Sequence, residues 1–166
     1  MAVLKLKPEY LFLGGVLLLF AVGSTFKDKL LNKLASFIPG VENFSPVPYW
    51  DVSRYSWGYG TIAPGPPGSG AITREQAFAD MVAYLLHDYA NLSGRVTRNL
   101  TVNQWVALLS FSYNEGIGRA YNLLDNINSG DDSALAAQMR KYIYAGGVVN
   151  NDLVERREKE INLWNS

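Results

Sequence analysis

The chain contains no cysteine, which excludes disulfides and thiolate metal sites. Its one histidine excludes multi-histidine metal centres and leaves a Ser-His-Asp triad a single candidate base, His87. There is no excess of either charge. Lysine and arginine number 15, aspartate and glutamate 15, and a net charge of +0 argues against a dedicated nucleic-acid binder. Charged residues are only 18% of the chain against 48% hydrophobic, which excludes a disordered or highly solvated polymer. What remains is 166 residues, enough for one ordinary domain with its own core. Any hydrolytic chemistry must rest on carboxylates, hydroxyls and bound water. No metal and no cofactor is expected.

One long apolar run is present. Residues 10–26, YLFLGGVLLLFAVGSTF, carry no charge. As a helix they would measure about 26 Å at roughly 1.5 Å per residue, which just spans a hydrocarbon core of about 30 Å. Lys5 and Lys7 precede the run and favour a cytoplasmic N-terminus with an exported remainder, although Lys27, Lys29 and Lys33 follow it. Three membrane readings stand open. Ala21-Val22-Gly23 would serve a signal-peptide cut, Leu17 to Phe20 would hold a permanent anchor, and Gly14, Gly15, Gly23, Ser24 and Thr25 dilute the run enough for a releasable one. The soluble part works outside the cytoplasm in each. A buried core helix is the bland alternative, but no polar face breaks the run.

The remainder divides by composition. A tail, 1–9, and the membrane segment, 10–26, precede a connecting helix, 27–35, and a domain from 36 to 166. Leu30, Leu31, Leu34 and Phe37 form one stripe of an amphipathic helix, stopped by Pro39-Gly40, which either continues the membrane helix or opens the soluble domain. Residues 46–71 are rich in proline, glycine and aromatics and read as short strands and tight turns, with a loop at 64–70. From Ile72 the period becomes helical. Thr73 and Gln76 make a capping box for a helix to about Leu92, and Asn103 is expected to cap a central helix, apolar nearly all round. Further helices are expected over 120–127, 133–144 and 152–163. A small sheet followed by a run of helices is an α+β arrangement.

Two carboxylates stand out in residues 42–61, ENFSPVPYWDVSRYSWGYGT. Glu42 lies at a helix end beside Val41 and Phe44, where partial desolvation would keep its carboxyl protonated. Asp51 lies nine residues on, in a polar turn with Ser53 and Arg54, and Ser56 offers a hydroxyl five residues further. Unlike carboxyls of this kind are what glycosidic cleavage requires. Spacing alone is weak evidence, because surface acids near turns are usually just solvated.

Read together, these positions resemble the active-site hairpin of the phage-type lysozymes, glycoside hydrolase family 24. Glu42, Tyr49, Asp51, Ser56 and Gly58-Tyr59-Gly60 match its glutamate, aromatic, aspartate, hydroxyl residue and G-x-G turn. Residues 104–116 look like its central helix, 127–131 like its asparagine-glycine turn, and 153–160 like its closing L-x-x-R-R-x-x-E. Asn43 stands where the family usually has glycine, Thr61 where many members have histidine, and the hairpin is about one residue tighter than in some. The resemblance covers residues 36–164 and implies a lysozyme-like fold, a small β-hairpin lobe plus a helical lobe. It implies a muramidase acting on the β-1,4 bond between N-acetylmuramic acid and N-acetylglucosamine in peptidoglycan. Glu42 would protonate the leaving oxygen, and Asp51, helped by Ser56, would hold the water. Tyr49, Tyr59, Tyr113 and Asn114 would contact the glycan.

Other residues read blandly. His87, beside Asp88, is expected to be structural, Trp57 to line a sugar cleft, and Trp105 and Trp164 to lie in the core. Arg156 and Arg157 are expected to pin the C-terminal helix to the catalytic lobe, and Glu115 to be solvated. Without Lys5, Lys7 and Glu9 the chain keeps 13 basic and 14 acidic residues, so long-range attraction to an anionic wall is not expected. The leading expectation is a monomeric phage endolysin that faces the host periplasm or cell wall, with peptidoglycan and a membrane as partners and no nucleic acid. A virion-anchored lysozyme acting during entry and a non-catalytic wall-binding virion protein are the alternatives.

Overall fold

The computed structural model describes residues 25–51 and 53–166, and the backbone of two short strands, β1 (Phe12–Leu13) and β2 (Val16–Leu17), paired antiparallel. The rest of the expected membrane helix over 10–24 lies outside the described residues. No described helix is long and apolar enough to cross a membrane. The chain divides into two compact units, Met1–Ala83 and Tyr84–Ser166.

In the first unit, α1 spans Phe26–Phe37. Thr25 is extended, with φ −75° and ψ 150°, and its hydroxyl accepts from the Asp28 amide. That cap starts α1 at Phe26. Leu30 and Leu34 are buried, as the stripe requires, and a 3₁₀ turn, Ile38–Gly40, which contains Pro39, follows the last helical residue, Phe37.

A three-stranded antiparallel sheet follows, in the order β3 (Ser45–Asp51), β4 (Arg54–Gly58), β5 (Thr61–Ile62). Tyr49 faces Ser56, Trp50 faces Tyr55 and Asp51 faces Arg54, with a register irregularity between Ser45 and Tyr49. Pro46 and Pro48 sit in that stretch, and β3 is an edge strand, where a missing amide is tolerated. Gly58 has φ +60°, and a Cβ built on it would lie 2.7 Å from the Ala77 Cβ. Only glycine meets both demands at that turn. Ala77 lies on α2 (Arg74–Ser93), which starts at the expected capping box: the Thr73 amide donates to Gln76 Oε1 and the Gln76 amide to Thr73 Oγ1, both at 3.2 Å.

The second unit is helical. Its central helix α3 (Val102–Glu115) is buried continuously from Trp105 to Ser112. The cap is Thr101, boxed with Gln104, and not Asn103, whose amide donates instead to Ser166 Oγ at 3.0 Å. The segment expected as one helix over 120–127 is two, α4 (Ile117–Tyr121) and α5 (Leu124–Ser129). The helix expected over 133–144 is shorter, α6 (Asp132–Met139). Its last residues instead enter a hairpin, β6 (Tyr144–Ala145) with β7 (Val148–Val149), turned by Gly146 and Gly147 at φ +59° and +82°. Two consecutive positive φ values match the turn that right-twisted hairpins favour. The chain closes with α7 (Asn151–Trp164), capped by Asn150, which packs on α3.

A buried charge network joins α7 to α3. Glu160 is fully buried. It accepts from Ser110 Oγ at 2.6 Å and Arg156 Nε at 3.1 Å, and its Oε2 lies 2.9 Å from Arg157 Nε. Arg157 is also fully buried and reaches Asn114 Oδ1 at 2.8 Å and Glu115 Oε1 at 3.3 Å, with its guanidinium 4.8 Å from the centre of the Phe111 ring. Burial pushes the Glu160 carboxyl up, against the pull of Arg157 and Arg156, and pushes the Arg157 guanidinium down, against Glu160. Both arginines thus hold Glu160 on their own helix. Glu115, expected to be solvated, is corrected: its side chain is 7% exposed and bridges Arg119 and Arg157.

Replacing Arg157 by methionine keeps the volume but strands Glu160 and Glu115 with less compensation. The expected cost is about 3–5 kcal/mol, the range for breaking a buried pair from one side. Urea unfolding midpoints of the two proteins measure it, and a loss below about 1 kcal/mol would contradict this account of the network.

Candidate active site

The first unit carries the residues that form the candidate site. Period-two alternation puts Tyr49 and Asp51 on one face of β3, and the register puts Ser56 and Arg54 on the same face of β4. Ser56 is fully buried, and its hydroxyl donates to Asp51 Oδ2 at 3.3 Å. Asp51 itself is half-buried at the strand end, so one carboxylate oxygen is oriented from the protein side while the residue keeps contact with solvent.

Glu42 sits between the 3₁₀ turn and β3. Its amide donates to the Ile38 carbonyl at 2.9 Å, which locks the backbone just before the strand begins. Like Asp51 it is half-buried. The Tyr49 phenol reports on both carboxyls. Its pKa is raised, first by partial burial, then by the negative charge of Asp51 and of Glu42, with Arg54 acting in the opposite sense. Glu42 and Asp51 thus act electrostatically on one hydroxyl, and that hydroxyl stays protonated at neutral pH. Tyr49 is 37% exposed, so the phenol is open to a ligand.

The other expected glycan contacts each have their own surroundings. Tyr59 is 7% exposed and packs at 5.5 Å from the Phe44 ring, which Arg74 covers from 4.2 Å. Tyr113 and Asn114 belong to the second unit. Tyr113 is half-buried, edge-on to Tyr84 at 5.3 Å, and the Asn114 carbonyl is taken by Arg157. Trp57 is half-buried, and neither its Nε1 nor the Oγ1 of Thr61, its cross-strand partner, has a hydrogen-bond partner. His87 is exposed, with Nδ1 3.6 Å from Asp88, and Asp88 is engaged by Ser112. The His87 ring also meets Asn91 Nδ2 at 3.4 Å. Trp105 and Trp164 are buried, as expected. Among the described residues, no group of three or more His, Cys, Asp and Glu side chains is arranged to hold a metal ion.

The chain matches the Phage lysozyme family over residues 39–160. It is 32% identical over 132 residues to the SAR-endolysin of Escherichia phage Mu, covering 75% of this chain and 74% of that one. The SAR-endolysin of Enterobacteria phage P21 is 33% identical over 134 residues, covering 75% and 79%. Among solved structures, the muramidase domain of SpmX from Asticaccaulis excentricus superposes with a TM-score of 0.73 at 26% identity, covering 81% of this chain and 95% of that one. With a small sheet, a helical run and a lysozyme-like superposition in agreement with the family match, the chain belongs to the phage lysozyme family and is a glycoside hydrolase of the muramidase type.

Proposed function

We propose that the protein cleaves the β-1,4 bond between N-acetylmuramic acid and N-acetylglucosamine in peptidoglycan, to lyse a host cell. The observation that carries this reading is the hairpin face itself, with Ser56 oriented on Asp51 and both Glu42 and Asp51 felt at the Tyr49 phenol. Glu42 is the general acid. It gives its proton to the glycosidic oxygen as the bond to C1 breaks, so the leaving sugar departs neutral. Asp51 is the general base. It takes a proton from a water that adds to C1 from the opposite face, and Ser56 fixes the carboxylate that does so. Tyr49, exposed and protonated, donates a hydrogen bond to the glycan beside the two carboxyls. Tyr113 and Asn114 would contact the glycan from the helical unit. No cofactor enters.

The apolar run 10–26 supports a second part of the proposal: the segment tethers the enzyme to the inner membrane with its catalytic part in the periplasm. The two phage relatives named above both bear the name SAR-endolysin, in keeping with this reading. Glycines and hydroxyl residues within the run make its insertion marginal, so the tether is releasable.

Three measurements test these statements. Glu42→Gln should lower wall hydrolysis by at least about 10²-fold with an unchanged unfolding midpoint, because an amide has no proton to give. A well-folded Glu42→Gln protein with normal turnover would refute the acid assignment. Proton NMR of the first product should show the inverted α-anomer, and initial release of the β-anomer would point instead to a retaining route through a glycosyl-enzyme. Cell fractionation should find the full chain with the membrane, moving to the periplasm after an uncoupler is added. Full-length protein that is cytoplasmic from the start would end the tether proposal.

A further inference from the structure

Arg54 has a position that the hydrolytic mechanism does not use. The register sets it directly opposite Asp51, on the face that carries Tyr49 and Ser56. Its positive charge acts on the Tyr49 phenol in the sense opposite to the carboxylates. It is exposed.

The chain has eight arginines, and the other seven are engaged. Arg98 binds Asp132, Arg119 binds Glu115, Arg140 binds Glu158, and Arg156 and Arg157 bind Glu160. Arg74 covers the Phe44 ring and Arg95 the Tyr121 ring. No hydrogen bond, ion pair or ring contact holds Arg54 among the described residues, although its cross-strand neighbour is a carboxylate. Asp51 Oδ2 instead takes the Ser56 hydroxyl.

A cation kept free at this spot has a chemical reason in the substrate. The saccharide backbone of peptidoglycan is uncharged, and the negative charges lie on the peptide stems that leave the muramic acid beside the scissile bond. Those carboxylates approach a face that already carries the Asp51 carboxylate, and like charges repel. The chain's net charge of +0 supplies no general attraction to offset that. A planar guanidinium with five donors matches a carboxylate in geometry as well as in charge.

We propose that Arg54 is a specificity-determining residue that recognises a carboxylate of the peptide stem and so favours acidic, peptide-bearing glycan over neutral glycan. The proposal rests on the muramidase reading of the same site and deepens it. It assigns no proton transfer to Arg54, so the residue acts on substrate binding and leaves the chemical step unchanged.

The test compares the full-length wild type with Arg54→Gln and Arg54→Lys on two soluble substrates. One is uncross-linked peptidoglycan strands, and the other is the same strands after their stem carboxylates have been converted to amides. Arg54→Gln should lower kcat/KM on the acidic strands by about two- to fivefold, the worth of an exposed ion pair, through KM alone. It should leave the amidated strands unaffected. Arg54→Lys should keep part of the preference, and raising the salt should narrow it for the wild type. An equal loss on both substrates, or a displaced pH profile for kcat, would mean that Arg54 acts through Asp51, and would overturn the proposal. No change on the acidic strands would also overturn it. Wild-type protein inactive on both substrates would overturn the muramidase reading itself, and this inference with it.

Discussion

The hairpin register between β3 and β4 is the constraint on which the candidate site depends. Side chains alternate with a period of two, so a slip of one residue would turn Tyr49 and Asp51 to the opposite face and break the Ser56 contact. Several local features hold the register. β3 ends at Asp51 and β4 begins at Arg54, so two residues connect them. At the other end, Gly58 takes φ +60° against Ala77, where any larger side chain would collide. Glu42 is fixed from outside the sheet by the 3₁₀ turn that Pro39 opens. The geometry of the carboxyls is thus set by backbone features that none of them supplies.

The helical unit is organised by a different principle. Its central helix is apolar on most faces, and apolar burial alone has no direction. The Ser110, Glu160, Arg156 and Arg157 cluster adds direction, because each polar group is costly unless it meets its partner. Both buried groups are pushed toward their neutral forms by desolvation, and their mutual charge opposes that push. The cluster fixes where α7 lies along α3. It also draws in Glu115, whose chemistry would otherwise suit a surface, and reaches the exposed Asn114.

Patterns with a local physical cause were legible in the sequence. The Thr73–Gln76 box, the Leu30 and Leu34 stripe and the apolar central helix all follow from neighbouring residues, and all are present. Where two local signals competed, the reading failed. Asn103 and Thr101 are both good caps, and the reciprocal bond from Gln104 decides for Thr101. Residues 140–144 have helical composition, but the pair of glycines at 146 and 147 favours a hairpin, which takes Tyr144 into a strand. Glu115 looked solvated because its burial depends on Arg157, 42 residues away in sequence. The carboxylate pair was visible only as a pattern resembling a family. The contact from Ser56 to Asp51 depends on strand register, which composition does not reveal.

The prolines of β3 have a consequence beyond geometry. An edge strand is an open template on which another chain can extend the sheet. Pro46 and Pro48 remove two amide donors from that edge, and the Pro46 carbonyl is occupied by the Ile72 amide at 2.8 Å. The strand that bears Tyr49 and Asp51 therefore offers a poor seed for intermolecular β-pairing. An enzyme that accumulates at high local density can keep this strand available to a polysaccharide instead of losing it to aggregation with its own copies.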